Sequence, residues 1–214
     1  MTHEDYIKQI KNAERRFVAE GLSLRSAADA KVKTFRGYAA KFNTTSEDLG
    51  GFVERIAPGF FDDVLGNDVR ALKNHDPHFL LGRSSAGTLR VGVDATGLWY
   101  EYDDPDTTYS RDLAISIERK DLNQSSFAFN LDYSSGLADK WEKKGDGTWI
   151  RTLLKASALY DVSPVTFPAY TDTSVAERGY KRVLIPDGID HAQDLIEMDH
   201  DMMTRDISRY KKSA

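Results

Sequence analysis

A serine hydroxyl is a useful nucleophile near neutral pH only with a base within hydrogen-bond reach. Two stretches of this chain carry the residue types for that chemistry, Gln124-Ser125-Ser126-Phe127-Ala128-Phe129 and Asn74-His75-Asp76. The five histidines are His3, His75, His78, His191 and His200. Three of these fall in the terminal segments, leaving His75 and His78 for the body of the chain. His75 follows the apolar pair Ala71-Leu72 in a tight polar turn, a place to present an imidazole at a sheet edge. His78 lies beyond Pro77 and is the weaker candidate.

Strand alternation over 124–133 puts Ser125, Phe127, Phe129, Leu131 and Tyr133 on a core face. Ser126, Ala128, Asn130 and Asp132 then share the polar face. Ser125 is expected to be half buried and Ser126 to face an approaching substrate, so Ser126 is the better nucleophile. The bland alternative is a structural serine on a solvated sheet face. The spacing is not the strained Gly-x-Ser-x-Gly elbow.

A third group must orient the base and stabilise its protonated form. Asp161 interrupts Leu159-Tyr160-Asp161-Val162-Ser163-Pro164-Val165, an otherwise apolar and β-branched run. Burying a carboxylate there is costly unless it is paired. Its alternative is a strand acid facing water, and Asp76 and Asp132 compete for the role. His75-Asp76-Pro77-His78 also reads as a fragment of a metal site, but it offers too few ligands for zinc. No metal and no cofactor is expected. Gly50-Gly51 and Gly82-Arg83-Ser84 look like phosphate loops but lack the Gly-Lys-Ser/Thr ending and a following helix. Arg83 either shapes an anion site for the reacting carbonyl or is a solvated turn residue. Trp99, Trp141 and Trp149 read as packing.

These groups need a scaffold, and 214 residues suffice for one substantial core. Hydrophobic residues at 40% and charged residues at 29% are ordinary for a soluble globular protein. A net charge of −5 supplies no basic field, so no nucleic-acid partner is expected. The absence of cysteine excludes disulfides, thiolate metal sites and a cysteine nucleophile, and fits a reducing cytoplasm. No apolar run approaches the roughly 20 residues that cross a bilayer. Met1-Thr2-His3-Glu4-Asp5 lacks the features of a secretory signal. The expectation is a soluble intracellular protein with no membrane partner.

From Thr34 to about Ala176, short strands with turn signals favour a β-rich fold. The spacing predicts strands at 34–42, 51–56, 69–73, 88–93, 97–102, 124–133, 148–156 and 157–165. Asp94-Ala95-Thr96-Gly97 and Gly145-Asp146-Gly147 read as hairpin turns. A short helix is predicted near Pro58 and another over 109–119, with Leu113, Ile115 and Ile117 on its apolar side. Residues 4–20 read as an amphipathic helix through Tyr6, Ile10, Ala13 and Phe17, stopped by Gly21. Residues 187–210 read as a second one, acidic early and basic late. The chain therefore divides into an N-terminal helix and linker (1–33), a core (34–180) and a C-terminal helical tail (181–214). Pro186-Asp187-Gly188 is a natural hinge at which a terminal segment would be removed or move.

Phe35-Arg36-Gly37-Tyr38-Ala39-Ala40-Lys41-Phe42-Asn43, followed by Asp48-Leu49-Gly50-Gly51-Phe52-Val53-Glu54-Arg55-Ile56-Ala57-Pro58-Gly59, resembles the opening of the tailed-bacteriophage prohead serine proteases. The likeness continues through Leu72-Lys73-Asn74-His75-Asp76, Leu81-Gly82-Arg83 and Gly87-Thr88-Leu89. It resumes at Ser126-Phe127-Ala128-Phe129 and at Tyr160-Asp161-Val162-Ser163-Pro164-Val165-Thr166-Phe167-Pro168-Ala169-Tyr170. It spans about residues 34–180 in the family's order.

The resemblance implies a β-rich α+β fold similar to the herpesvirus assemblins, a β-barrel core flanked by helices with helical appendages at both ends. It implies a serine endopeptidase of capsid maturation, acting inside the assembling procapsid in the bacterial host cytoplasm, whether phage- or prophage-encoded. Its partners would be the major capsid protein precursor and its scaffolding segment, with self-association and self-cleavage as further expectations. By position, His75 matches the family's histidine and Ser126 its serine before Phe-x-Phe. Asp161 stands where the family more commonly has glutamate before Val-Ser, which keeps the carboxylate but shortens it by one methylene. Oxyanion amides are expected near Arg83 or the 124–128 strand. Two other readings stay open, a non-catalytic capsid-assembly or scaffold protein with a protease-like barrel and a ligand-binding β-barrel with a closed apolar cavity.

Overall fold

Alternating apolar residues and frequent turn signals make strands the main regular structure of the described residues. The computed structural model describes residues 13–18, 22–25, 33–49, 52–131, 133 and 136–166. They form β1 (Glu14–Val18), β2 (Ser23–Arg25), β3 (Thr34–Lys41), β4 (Phe52–Ile56), β5 (Arg70–Lys73), β6 (Asp76–Arg83), β7 (Leu89–Val93) and β8 (Gly97–Asp103). One helix, α1 (Thr108–Glu118), precedes β9 (Gln124–Leu131), β10 (Asp139–Lys143), β11 (Trp149–Leu153) and β12 (Ala156–Val165). A 3-10 turn, Ser84–Ala86, follows β6.

The strands form three open sheets, ordered β1-β9-β12-β5-β6, β2-β3-β8-β7 and β10-β11-β4. The expected barrel core is therefore corrected. Alternation and turn spacing specify strands and hairpins, but closure depends on the stagger between strands distant in sequence, which no local pattern encodes.

The expected N-terminal helix is also corrected over its described part. Glu14–Val18 is a strand antiparallel to β9, from Glu14 opposite Phe129 to Val18 opposite Ser125. The four-residue spacing of Ala13 and Phe17 fits a strand's period of two as well as it fits a helix. Residues 4–12 and 19–20 of that expected helix, and the whole of the helix expected over 187–210, lie outside the described residues. Near Pro58 the expected short helix is a chain of i-to-i−3 turns, with Phe60 N donating to Ala57 O and Val64 N to Phe61 O. Helix α1 forms as expected, its N-terminus capped by Thr107, which accepts from Ser110 N. Leu113 and Ile117 are buried, whereas Ile115 faces solvent.

Both predicted hairpins are present. Asp94 Oδ1 accepts the N–H groups of Thr96 and Gly97 between β7 and β8. A side chain at Gly97 would collide with the Ala40 carbonyl of the neighbouring strand. Strands β6 and β10 escape the pattern reading. Pro77 makes β6 look like a turn, and it is tolerated because β6 lies at a sheet edge.

The core fixes which way β9 faces. Phe127 and Phe129 meet Phe61 and Phe60 edge to face, at centroid separations of 5.3 and 5.4 Å. Each such pair adds about 0.5–1.5 kcal/mol beyond its buried area. Pinning this aromatic face commits Ser126 to the other one.

An ionic cluster ties the five-stranded sheet to the three-stranded one. Arg151 of β11 donates to Glu14 Oε2 (2.9 Å), Glu54 Oε2 (3.1 Å), Asp139 Oδ2 (2.7 Å) and the Tyr133 hydroxyl (2.7 Å). Arg16 forks onto Glu54 and reaches Glu14 Oε2 at 2.7 Å. Burial opposes the charge on Glu14, but the attraction of Arg151 and Arg16 outweighs it and holds the carboxyl below its ordinary value. For Arg151 burial again works against the charge, and Glu14 and Glu54 hold the guanidinium protonated.

Candidate active site

Strand β9 sits between β1 and β12, and Ser126 is directly opposite Phe17 on one side and Ser163 on the other. Directly opposed residues of an antiparallel pair share a face, so Phe17, Ser126 and Ser163 line one side of the sheet. Ser125 projects to the other side and bonds the Tyr100 hydroxyl at 2.8 Å. The half-buried Ser125 and accessible Ser126 of the sequence reading are corrected, since both serines are buried. The second face of this sheet is covered too, and alternation alone does not say by what.

Asp161 reaches the Ser126 face through a bulge. Leu159 pairs with Phe129 and Asp161 with Ala128, so one step on β9 is matched by two on β12. The extra residue flips the alternation. Leu159 points into the aromatic core, whereas Asp161 and Ser163 face the Ser126 side.

His75 comes from the β5–β6 turn. Lys73 and Asp76 pair across it, leaving Asn74 (φ 56°) and His75 (φ 58°) as the two central residues. Positive φ at both positions is the type I′ hairpin geometry. Asparagine adopts it readily and histidine less so, which places backbone strain under the imidazole. Because β5 runs parallel to β12, the turn lies beside the end of β12. Asn74 N donates to Pro164 O (3.0 Å), Asn74 Nδ2 to Thr166 Oγ1 (3.2 Å), and Thr166 N to Asn74 Oδ1 (2.8 Å).

The three residues named from sequence meet. His75 Nε2 is 2.6 Å from Ser126 Oγ, and His75 Nδ1 is 2.6 Å from Asp161 Oδ1. Ser163, which the sequence reading passed over, donates to the same Asp161 oxygen at 2.6 Å. Its period-two spacing from Asp161 was the available signal. Asp161 Oδ2 is buried with no hydrogen-bond partner among the described residues.

The competing assignments separate in space. Asp76 turns to His78, accepting its backbone N–H at 2.9 Å and contacting Nδ1 at 2.8 Å. That backbone bond holds the Asp76 carboxyl below its ordinary value. His75 and His78 thus engage different carboxylates, and among the described residues no three metal-ligating side chains gather. Asp132 and Gly50-Gly51 lie outside the described residues. The Arg83 guanidinium pairs with Asp68 through Nε and Nη2, at 2.5–3.1 Å.

A hydroxyl, an imidazole and a carboxylate in this order form the arrangement that serine-type acyl transfer requires. The family model for the caudovirus prohead serine protease matches residues 20–184, and the chain belongs to that family. Neither the curated proteins nor the solved structures contain a match. No helix among the described residues is long and apolar enough to cross a membrane.

Proposed function

We propose that this chain is a serine endopeptidase that trims the major capsid protein precursor or its scaffolding segment during prohead maturation, and also cleaves itself. The place of action is the assembling procapsid in the bacterial host cytoplasm. The observation that carries the reading is the 2.6 Å contact of Ser126 Oγ with His75 Nε2, in a chain matched to the prohead protease family.

In the proposed mechanism, Ser126 Oγ attacks the scissile carbonyl while its proton passes to His75 Nε2. The tetrahedral adduct expels the amine, which takes that proton, and leaves an ester on Ser126. Water, deprotonated by His75, then hydrolyses the ester. Asp161 accepts from Nδ1–H, which keeps Nε2 free as acceptor and stabilises the imidazolium. Ser126 is 0% exposed, so its covering groups must shift before a carbonyl reaches the hydroxyl.

Co-expression with the capsid precursor tests this. Wild type is expected to yield size-reduced capsid protein, and Ser126→Ala to leave it full length. Unchanged processing by Ser126→Ala would remove that serine as nucleophile. No processing by either form would favour the non-catalytic scaffold role.

A further inference from the structure

We propose that Ser163 is a positioning residue of this site, a hydroxyl that fixes the Asp161 carboxylate so that one oxygen faces His75. The inference rests on His75 acting as the base for Ser126. An ionised carboxylate only accepts, so Ser163 Oγ–H is the donor in the 2.6 Å bond. The oxygen it holds, Asp161 Oδ1, is the one that takes His75 Nδ1–H, also at 2.6 Å.

Asp161 needs such a partner. The torsion about its Cβ–Cγ bond is broad and nearly two-fold, so packing alone does not select which oxygen points at the ring. Its other oxygen, Oδ2, is buried without a partner among the described residues. With Ser163 removed, the imidazole would be the carboxylate's one remaining side-chain donor among them. The ring would then follow the carboxylate's rotation, and the Nε2 contact with Ser126 would loosen.

Ser163 is itself held. It precedes Pro164, which biases its backbone to the extended region. It sits two residues beyond Asp161 on the same face of β12, directly across from Ser126. Its 0% exposure excludes water as a competing acceptor. One strand and the residue after it thus carry the acid, the hydroxyl that aims it, and the Pro164 carbonyl and Thr166 that clamp the His75 turn.

A purely structural serine would affect folding and nothing else, so the test reads the site. Full-length wild type, Ser163→Ala, Ser163→Thr, Ser163→Val and Ser126→Ala are treated with a fluorophosphonate, which Ser126 Oγ attacks with loss of fluoride. The low-field proton resonance of His75 Nδ1–H is recorded for each, whether or not the probe reacts. Ser163→Ala is expected to react about 10- to 100-fold more slowly, the worth of a hydrogen bond to a charged group. Its low-field resonance is expected to move upfield.

Threonine and valine have nearly the same shape, and only threonine keeps the hydroxyl. Ser163→Thr should therefore retain rate and resonance, and Ser163→Val should lose both. If Ser163→Ala does not fold, this pair decides. Equal rates and resonances in Thr and Val, or a wild-type rate and resonance in Ser163→Ala, overturn the proposal. Labelling that persists in Ser126→Ala would instead overturn the nucleophile assignment beneath it.

Discussion

The five-stranded sheet carries one buried polar cluster on each face, and the two follow different rules. On the aromatic face, Glu14 and Arg16 lie opposite Phe129 and Phe127 and join Glu54, Asp139 and Arg151. There each carboxylate meets an arginine, and Arg151 spreads its donors over three acids and a tyrosine. On the other face the Asp161 carboxylate holds one imidazole and one hydroxyl, its second oxygen has no partner among the described residues, and the imidazole stands on a left-handed turn. A saturated network has one arrangement and resists change. A network with spare capacity and local strain is where a proton can move.

Asp161→Asn should have the largest effect and divides the two clusters most sharply. An amide in that place can donate to Nδ1 and favour the wrong imidazole tautomer, so processing should fall about 10⁴-fold. Folding should change little, because Ser163 still has an oxygen to donate to. Capsid-precursor cleavage and a thermal melt check both. If the variant unfolds while its folded fraction stays active, the two clusters are of one kind and the distinction fails.

Arg151→Leu should show the reverse pattern. It leaves Glu14, Glu54 and Asp139 with Arg16 as the sole arginine of the cluster, a stability loss of about 3–5 kcal/mol. Urea midpoints measure that loss, and fluorophosphonate labelling of Ser126 in the folded fraction should keep its wild-type rate. A loss of labelling without a loss of stability would tie the ionic cluster to the chemistry instead.

Acid should act on the same cluster more gently. The Glu14 carboxyl is held below its ordinary value of 4.5. A depressed carboxyl contributes its full stability above the ordinary value and loses it as pH falls through the folded one. The urea midpoint attributable to Glu14 should therefore be flat down to about pH 4.5 and then decline, leaving two buried guanidinium groups short of counter-charge. Glu14→Gln, less stable at neutral pH, should show a shallower decline. Parallel curves for the two proteins would show that another group controls the acid limb.

The site was more legible in sequence than the sheet that builds it. Asp161 stands out because a carboxylate in an apolar run demands a partner, and His75 because few histidines lie in the body of the chain. The bulge at Tyr160 that turns Asp161 toward Ser126 has no local signature. Nor does the closeness of the β5–β6 turn to the end of β12, which follows from a parallel pairing between distant strands. A spacing of four satisfies both periods, so strand β1 reads as a helix in sequence. Glu14 and Arg16 look like the polar face of a surface helix until Arg151 and Glu54, far away in sequence, pair with them. Ser163 does not stand out, because serine before proline is an ordinary strand residue.

The turn under His75 offers the smallest and most local test. Asn74→Gly keeps the positive φ at no steric cost and retains the main-chain bond to Pro164 O, but removes both side-chain bonds to Thr166. Relief of strain and loss of hydrogen bonds oppose each other, so stability should move by no more than about 1 kcal/mol. The imidazole would be less tightly held over Ser126, and phosphonylation should slow by about threefold to tenfold, because small misplacements of a reacting group are amplified in rate. Asn74→Ala removes the same bonds and adds left-handed strain of about 1 kcal/mol, so it should be the less stable of the two. A wild-type rate in Asn74→Gly would show that the main chain alone places the base. The poised character of this face would then come from Asp161 and Ser163, not from the turn.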